Sequence, residues 1–215
     1  MSIPVISESW SRLNHAYAAD DALVQKALSD ILTAYQAPER HYHNLQHITQ
    51  LLTLHHAYAG QLKAPDTVLY AIFFHDIVYD VQRRDNEQQS ALAAGEYLRQ
   101  TRFPPADINA VEEFILATQT HVNPLQHSDL DYFLDFDLQI LGTAPDIYQA
   151  YTQQIRREYS IYPDQLYHPG RKKVLQHFME MPAIYRTPRF NSNMKHRPGK
   201  TYRRKSTTYN GNKCI

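Results

Sequence analysis

A single cysteine, Cys214, in a chain of 215 residues excludes an internal disulfide framework, and its place beside the last residue keeps thiolate chemistry away from every other candidate ligand. Glycine is scarce, with six residues, and no glycine-rich run could cradle a phosphate through backbone N–H groups. Nowhere are there 18 consecutive apolar residues. The opening MSIPVISESW has no basic stretch followed by an apolar core. Neither membrane insertion nor export is therefore expected, and the cytoplasm is the expected location. Internal repeats are also lacking. What remains is ordinary for a globular protein, 43% hydrophobic and 20% charged, for which one domain is the default.

The hydrophobic pattern is helical almost throughout. Leu23, Val24, Ala27, Leu28, Ile31, Leu32 and Tyr35 mark one face of a helix after Asp20-Asp21; Ile108, Val111, Phe114 and Ile115 mark another behind Pro104-Pro105. Further helices are expected near 7–18, 44–59, 66–79, 86–100, 129–141, 144–161 and 170–180, with Ser7, Asp66 and Asp129 as caps and Gly142 as a stop. No strand pattern stands out. The expected fold class is an all-α helical bundle, a scaffold that can point ligands inward from several helices.

Against this apolar background a few polar side chains stand out. His75-Asp76 lies inside FFHDIVYD, flanked by Phe73, Phe74, Ile77 and Val78. Imidazole and carboxylate suit a divalent cation such as Mn, Co, Ni, Zn, Fe or Mg, although a buried histidine also serves as an ordinary hydrogen-bonded core residue. Upstream, RHYHNLQH places His43 and His47 four residues apart, on one face if a helix starts near Asn44. Downstream, DLDYFLDFDLQILG carries Asp135 and Asp137 in an otherwise apolar helix with Phe133, Leu134, Phe136, Leu138, Ile140 and Leu141. A carboxylate in so apolar a run needs a partner, because burying a bare charge costs several kcal/mol. His43, His75, Asp76 and Asp137 form the candidate metal set.

The order His, then His-Asp, then a distant Asp on a later helix resembles the HD superfamily of metal-dependent phosphohydrolases. Seven collinear segments extend the resemblance to a small bacterial branch of predicted phosphohydrolases: ERHYHNLQH, AIFFHDIVYD, DNEQQSA, ILATQTH, DFDLQILG, IRREYS and PGRKKVL, over about residues 5–188. The resemblance implies an HD-type bundle, ligands at His43, His75, Asp76 and Asp137, and hydrolysis of a small phosphate ester or nucleotide by a metal-activated water. Asp76 would thus sit in the catalytic machinery as well. Glu87, in DNEQQSA, matches acids that act as general acid or position the water in related hydrolases; an acid in a first helical turn equally serves the helix dipole. Relatives with two metals use further histidines, for which His47 and His121 are the candidates, as extra ligands or phosphate contacts. One metal is the first choice.

Phosphate binding calls for guanidinium groups, which pair with phosphate oxygens. Arg40, three residues before His43, is the first candidate; Arg157 and Arg171 are weaker ones, since an arginine beside Glu158 fits a solvated ion-pair network. Two other classes compete with a hydrolase: a di-iron oxygenase on the same scaffold, and a binding module without catalysis.

Charge is unevenly spread. Residues 1–188 hold 14 basic and 22 acidic side chains, whereas 189–215 hold eight basic and no acidic ones. This last stretch lacks a helical period and departs from the family, where an acidic amphipathic helix usually follows an IYRTP-like segment. The expected organisation is an HD-like domain over 1–188 and a loosely held basic tail over 189–215. That tail is either an arm for acidic partners, the one route by which nucleic acid would bind, or the product of a shifted reading frame, which the abrupt change in composition favours.

Overall fold

Eight consecutive residues, Thr67 to Phe74, are all buried, so the helix that carries them is enclosed within its own unit. In the computed structural model, which describes residues 2–17, 20–188 and 190, the architecture is all-α, with no strand among the described residues. The helices are α1 (Ser2–Tyr17), α2 (Asp21–Tyr35), α3 (Leu45–Tyr58), α4 (Pro65–Phe74), α5 (Asn86–Leu98), α6 (Pro105–Ala117), α7 (Ser128–Asp137), α8 (Pro145–Glu158) and α9 (Asp164–Glu180), with short 3-10 turns at Ala59–Gln61 and Leu138–Gly142. No helix among the described residues is long and apolar enough to cross a membrane. The chain divides into two compact units, Met1–Phe136 and Asp137–Ile215.

In the first unit α4 packs against α3, α5 and α6, while α1 packs on α2 and α3. Trp10 anchors this core, edge-on to Phe73 at 5.1 Å, with its indole N–H donating to the Val24 carbonyl at 3.0 Å. Such a donor must be satisfied when buried. Asn14, one turn later, accepts from the hydroxyls of both Tyr70 and Tyr97 and donates to the Trp10 carbonyl. The caps follow local chemistry. Asp20 accepts from Ala22 N–H ahead of α2, and Asn44 accepts from Gln46 N–H ahead of α3, each at 2.9 Å.

Other expectations change. The buried spacing Ile6, Trp10, Leu13 requires α1 to begin before residue 6, and it starts at Ser2 without a cap at Ser7. Asp66 lies inside the first turn of α4 and accepts from Tyr17 Oη at 2.7 Å. Asp129 is fully buried, with its Oδ2 accepting from the backbone N–H groups of Lys63 and Ala64, so it caps the approach to α4 and not only its own helix. The helix expected over 66–79 ends at Phe74, with His75 as its C-cap.

The Tyr17–Asp66 pair makes a pH prediction. The hydrogen bond to Asp66, aided by desolvation and by the charge of Asp66, raises the Tyr17 phenol to about 12 from 10.0. The folded state therefore holds this proton more tightly than the unfolded chain, and the associated stability is complete below about pH 10 and lost as pH climbs through about 12. Tyr17→Phe should flatten that part of the alkaline denaturation profile; an unchanged slope between these pH values would show that the pair does not contribute.

In the second unit α8 buries Tyr148, Tyr151 and Ile155. Arg156 binds Asp164 Oδ1 at 2.7 Å and the Tyr162 carbonyl at 3.1 Å, and lies over the Tyr167 ring at 4.7 Å. These contacts hold the first turn of α9, which starts at Asp164 and carries Pro169 inside it, whereas the Pro-Gly pair reads as a start near residue 170. Tyr185 donates to the Leu138 carbonyl at 3.3 Å and packs against buried Phe190 at 5.2 Å. Apart from Phe190, the expectations for the basic stretch 189–215 fall outside the described residues.

Candidate metal centre

Three side chains converge on one point: His47 from the first turn of α3, His75 at the C-terminal end of α4 and Asp137, the last residue of α7. Their ligand atoms all lie within 4.8 Å of one another, with both histidines buried and Asp137 half-buried, and together they could hold a metal ion. The Nε2 atoms of His47 and His75 are 3.2 Å apart. That spacing suits two nitrogens on one ion at bond lengths of about 2.0–2.1 Å. Asp76 is not within this group of three; its Oδ2 lies 3.1 Å from His75 Nε2 and 4.0 Å from His47 Nε2.

The tautomer of His75 sharpens this. Its Nδ1 lies 2.9 Å from the Ile72 carbonyl, an acceptor only, so Nδ1 carries the proton and neutral His75 turns the Nε2 lone pair toward the cluster. An Asp76 carboxylate oxygen then faces that lone pair at 3.1 Å. Two electron-rich atoms held so closely require a positive charge between or beside them, either a proton on the imidazole or a metal ion. A metal-ligating histidine commonly donates its other ring N–H to a backbone carbonyl in this way, which fixes the tautomer and the ring orientation.

Local sequence explains the placement. Ile48, Leu51 and Leu52 bury one stripe of α3, and His47 sits on that stripe, 1% exposed. Asn44, with φ −127° and ψ −173°, is extended, so the helix begins after His43 and the two histidines do not share a helical face. The ring of His43 packs on Tyr79 at 4.3 Å and stands 5.9 Å from the His47 ring, which leaves it beside the group of three and not within it. His75 and Asp76 share the turn that closes α4: His75 N–H bonds the Ala71 carbonyl and Ile77 N–H the Phe74 carbonyl, after which the chain leaves the helix. Asp135 is fully buried two residues before Asp137, and positions two apart on a helix face opposite ways, so one of the two acids can meet the histidines.

The remaining candidates are dispersed. The Arg40 guanidinium is 7% exposed and directed at backbone carbonyls of His43, Asp76 and Ile77 instead of outward. Glu87 lies half-buried in the first turn of α5, and its hydrogen-bond partner is Gln119 Nε2 at 3.5 Å. His121 follows α6 in a left-handed conformation, φ 52°, outside the group of three. In the second unit Arg157 is exposed on α8, while Arg171 donates to Tyr151 Oη at 3.0 Å. His55, away from this group, lies 2.9 Å from the Pro65 carbonyl, and burial pushes its pKa down. Comparison with protein-family models, curated proteins and solved structures gave no match.

Proposed function

We propose that the protein is a metal-dependent hydrolase of a small phosphate ester or nucleotide, with one divalent ion held by His47, His75, Asp76 and Asp137. The observation that carries the reading is the pair of Nε2 atoms 3.2 Å apart with Asp76 Oδ2 3.1 Å from one of them, an arrangement that a cation relieves. A bound divalent ion supplies Lewis acidity, making a water more acidic near neutral pH and polarising a phosphoryl oxygen. The chain's own residues hold and balance it. The two imidazoles supply neutral nitrogen, the two carboxylates offset the charge, and the Ile72 carbonyl fixes the orientation of His75. His43, half-buried beside His47, is a titratable group available for proton transfer to a departing oxygen.

Metal content and turnover test this together. Protein purified without chelator should carry close to one redox-silent ion per chain, or take one up from Mn, Co, Ni or Zn, and should then hydrolyse a model phosphate ester. Two irons per chain would point to an oxygenase, and uptake of no ion with no hydrolysis would leave a binding module. Glu87 gives a finer test. If it moves a proton in the reaction, Glu87→Gln should lower turnover by about tenfold or more with little change in melting temperature; unchanged turnover would return it to the helix dipole.

A further inference from the structure

Arg40 is a buried arginine with no carboxylate partner among the described residues. Its Nη1 donates to the Asp76 carbonyl at 2.6 Å and to the His43 carbonyl at 3.4 Å, and its Nη2 donates to the Ile77 carbonyl at 3.0 Å. The guanidinium lies over the rings of Tyr35 at 5.0 Å and Tyr79 at 5.5 Å. Its Nε is buried and makes no hydrogen bond among the described residues. A charge placed so, with neutral acceptors and one N–H unsatisfied, is costly, and a methylene stem alone would fill the space more cheaply. The carbonyls it takes are specific ones. Those of Asp76 and Ile77 are left over where the chain abandons α4, and that of His43 belongs to the loop that delivers α3 with His47. Tyr35 completes the grip, its hydroxyl accepting from Asp76 N–H at 3.1 Å.

We propose that Arg40 is a positioning residue: it clamps the His43 loop to the turn after His75 and so sets the separation of the His47 and His75 nitrogens. This rests on the metal-centre reading for its purpose, though the clamp itself can be measured without metal. The planar fork is what spans the carbonyls of two successive residues while reaching a third; the single ammonium of lysine cannot hold all three in that plane. Arg40 also lines an open cavity of about 350 Å³ together with Tyr35, Gln36, Ala37, Pro38, Asn44 and Leu45, so truncation would leave a path by which a guanidinium ion could re-enter.

The experiment compares wild type, Arg40→Lys, Arg40→Ala with and without millimolar guanidinium chloride, and Asn14→Ala, which loosens the core between Tyr70 and Tyr97 away from the clamp. Two quantities are read well below melting: Mn or Zn affinity, and amide hydrogen exchange in the metal-free protein. Arg40→Ala should weaken metal binding by about tenfold or more, as loss of an outer-shell support does. It should also speed exchange in residues 75–79 selectively. Guanidinium, but not sodium chloride, should restore both, and Arg40→Lys should restore neither fully. Asn14→Ala should speed exchange across the core while its folded form keeps its metal affinity. Unchanged affinity and exchange in Arg40→Ala, or a uniform rise in exchange like that of Asn14→Ala, would overturn the clamp. Should wild type take up no metal, the functional reading fails, and the selectivity of exchange at 75–79 still decides whether Arg40 holds that turn.

Discussion

Replacing His75 by alanine should abolish stoichiometric metal binding while leaving the helical content nearly intact. The imidazole is 1% exposed and is approached within 3.2 Å by both His47 Nε2 and Asp76 Oδ2, so it stands at the middle of the group and its loss leaves the other donors without a common centre. The fold rests elsewhere, on Trp10, Phe73, Phe114 and Phe133 and the other fully buried apolar side chains, so circular dichroism should change little. His47→Ala and Asp76→Ala should act in the same direction. Asp137→Asn should weaken binding by removing an anionic ligand, and Asp135→Asn should weaken it less, since its side chain leaves α7 on the other side. Isothermal titration with Mn or Zn measures all five. Because protons compete for the same imidazole nitrogens, wild-type affinity should fall as pH falls through the histidine range. A His75→Ala protein that keeps full occupancy would remove the centre from this position altogether.

Much of the fold is legible in the sequence, because its signals are local. The α2 and α6 faces follow from period, Asp20 and Asn44 are caps of the usual kind, and the chain is all-α as expected. The boundaries that differ depend on distant partners. Nothing within FFHDIVYD says that the helix stops at Phe74; Tyr35 and Arg40, some forty residues earlier, take the backbone groups that would have extended it. Pro169 stands inside α9 because Arg156 of another helix secures the turn before it. The candidate centre shows the same division. His75, Asp76 and Asp137 stand out as polar groups in apolar runs. Motif order ranks His47 below His43, yet its place on the stripe with Ile48, Leu51 and Leu52 is a periodic signal that it faces the core. Arg40 carries no such signal, since an arginine next to a histidine motif suggests phosphate, and nothing local foretells that its guanidinium donates to three backbone carbonyls.

Asp129 should prove one of the most sensitive acids in the protein, although it is not among the candidate ligands. It is fully buried and its Oδ2 accepts from Lys63 N–H at 2.9 Å and Ala64 N–H at 2.7 Å, the donors that precede the first turn of α4. Ser128 Oγ lies 3.2 Å from the other oxygen. Asp129→Ala strips the acceptor from two part-buried backbone donors, and with the lower half of the range of about 1–3 kcal/mol for a stranded donor applying to each, a total of about 2–4 kcal/mol is expected. For a chain of this size that corresponds to a fall in melting temperature of about 4–16 °C. Asp129→Asn keeps a carbonyl oxygen without the charge and should recover part of the loss, provided the amide turns its oxygen toward residues 63 and 64. Hydrogen exchange separates the two possible roles of this acid. If it caps α4, exchange of the Lys63 and Ala64 amides accelerates in Asp129→Ala; if it serves only the start of α7, acceleration is confined to residues near 129–132, and the cross-helix account of its burial is wrong. Metal affinity of the folded variant should change far less than its stability, because α4 is loosened at the end opposite His75.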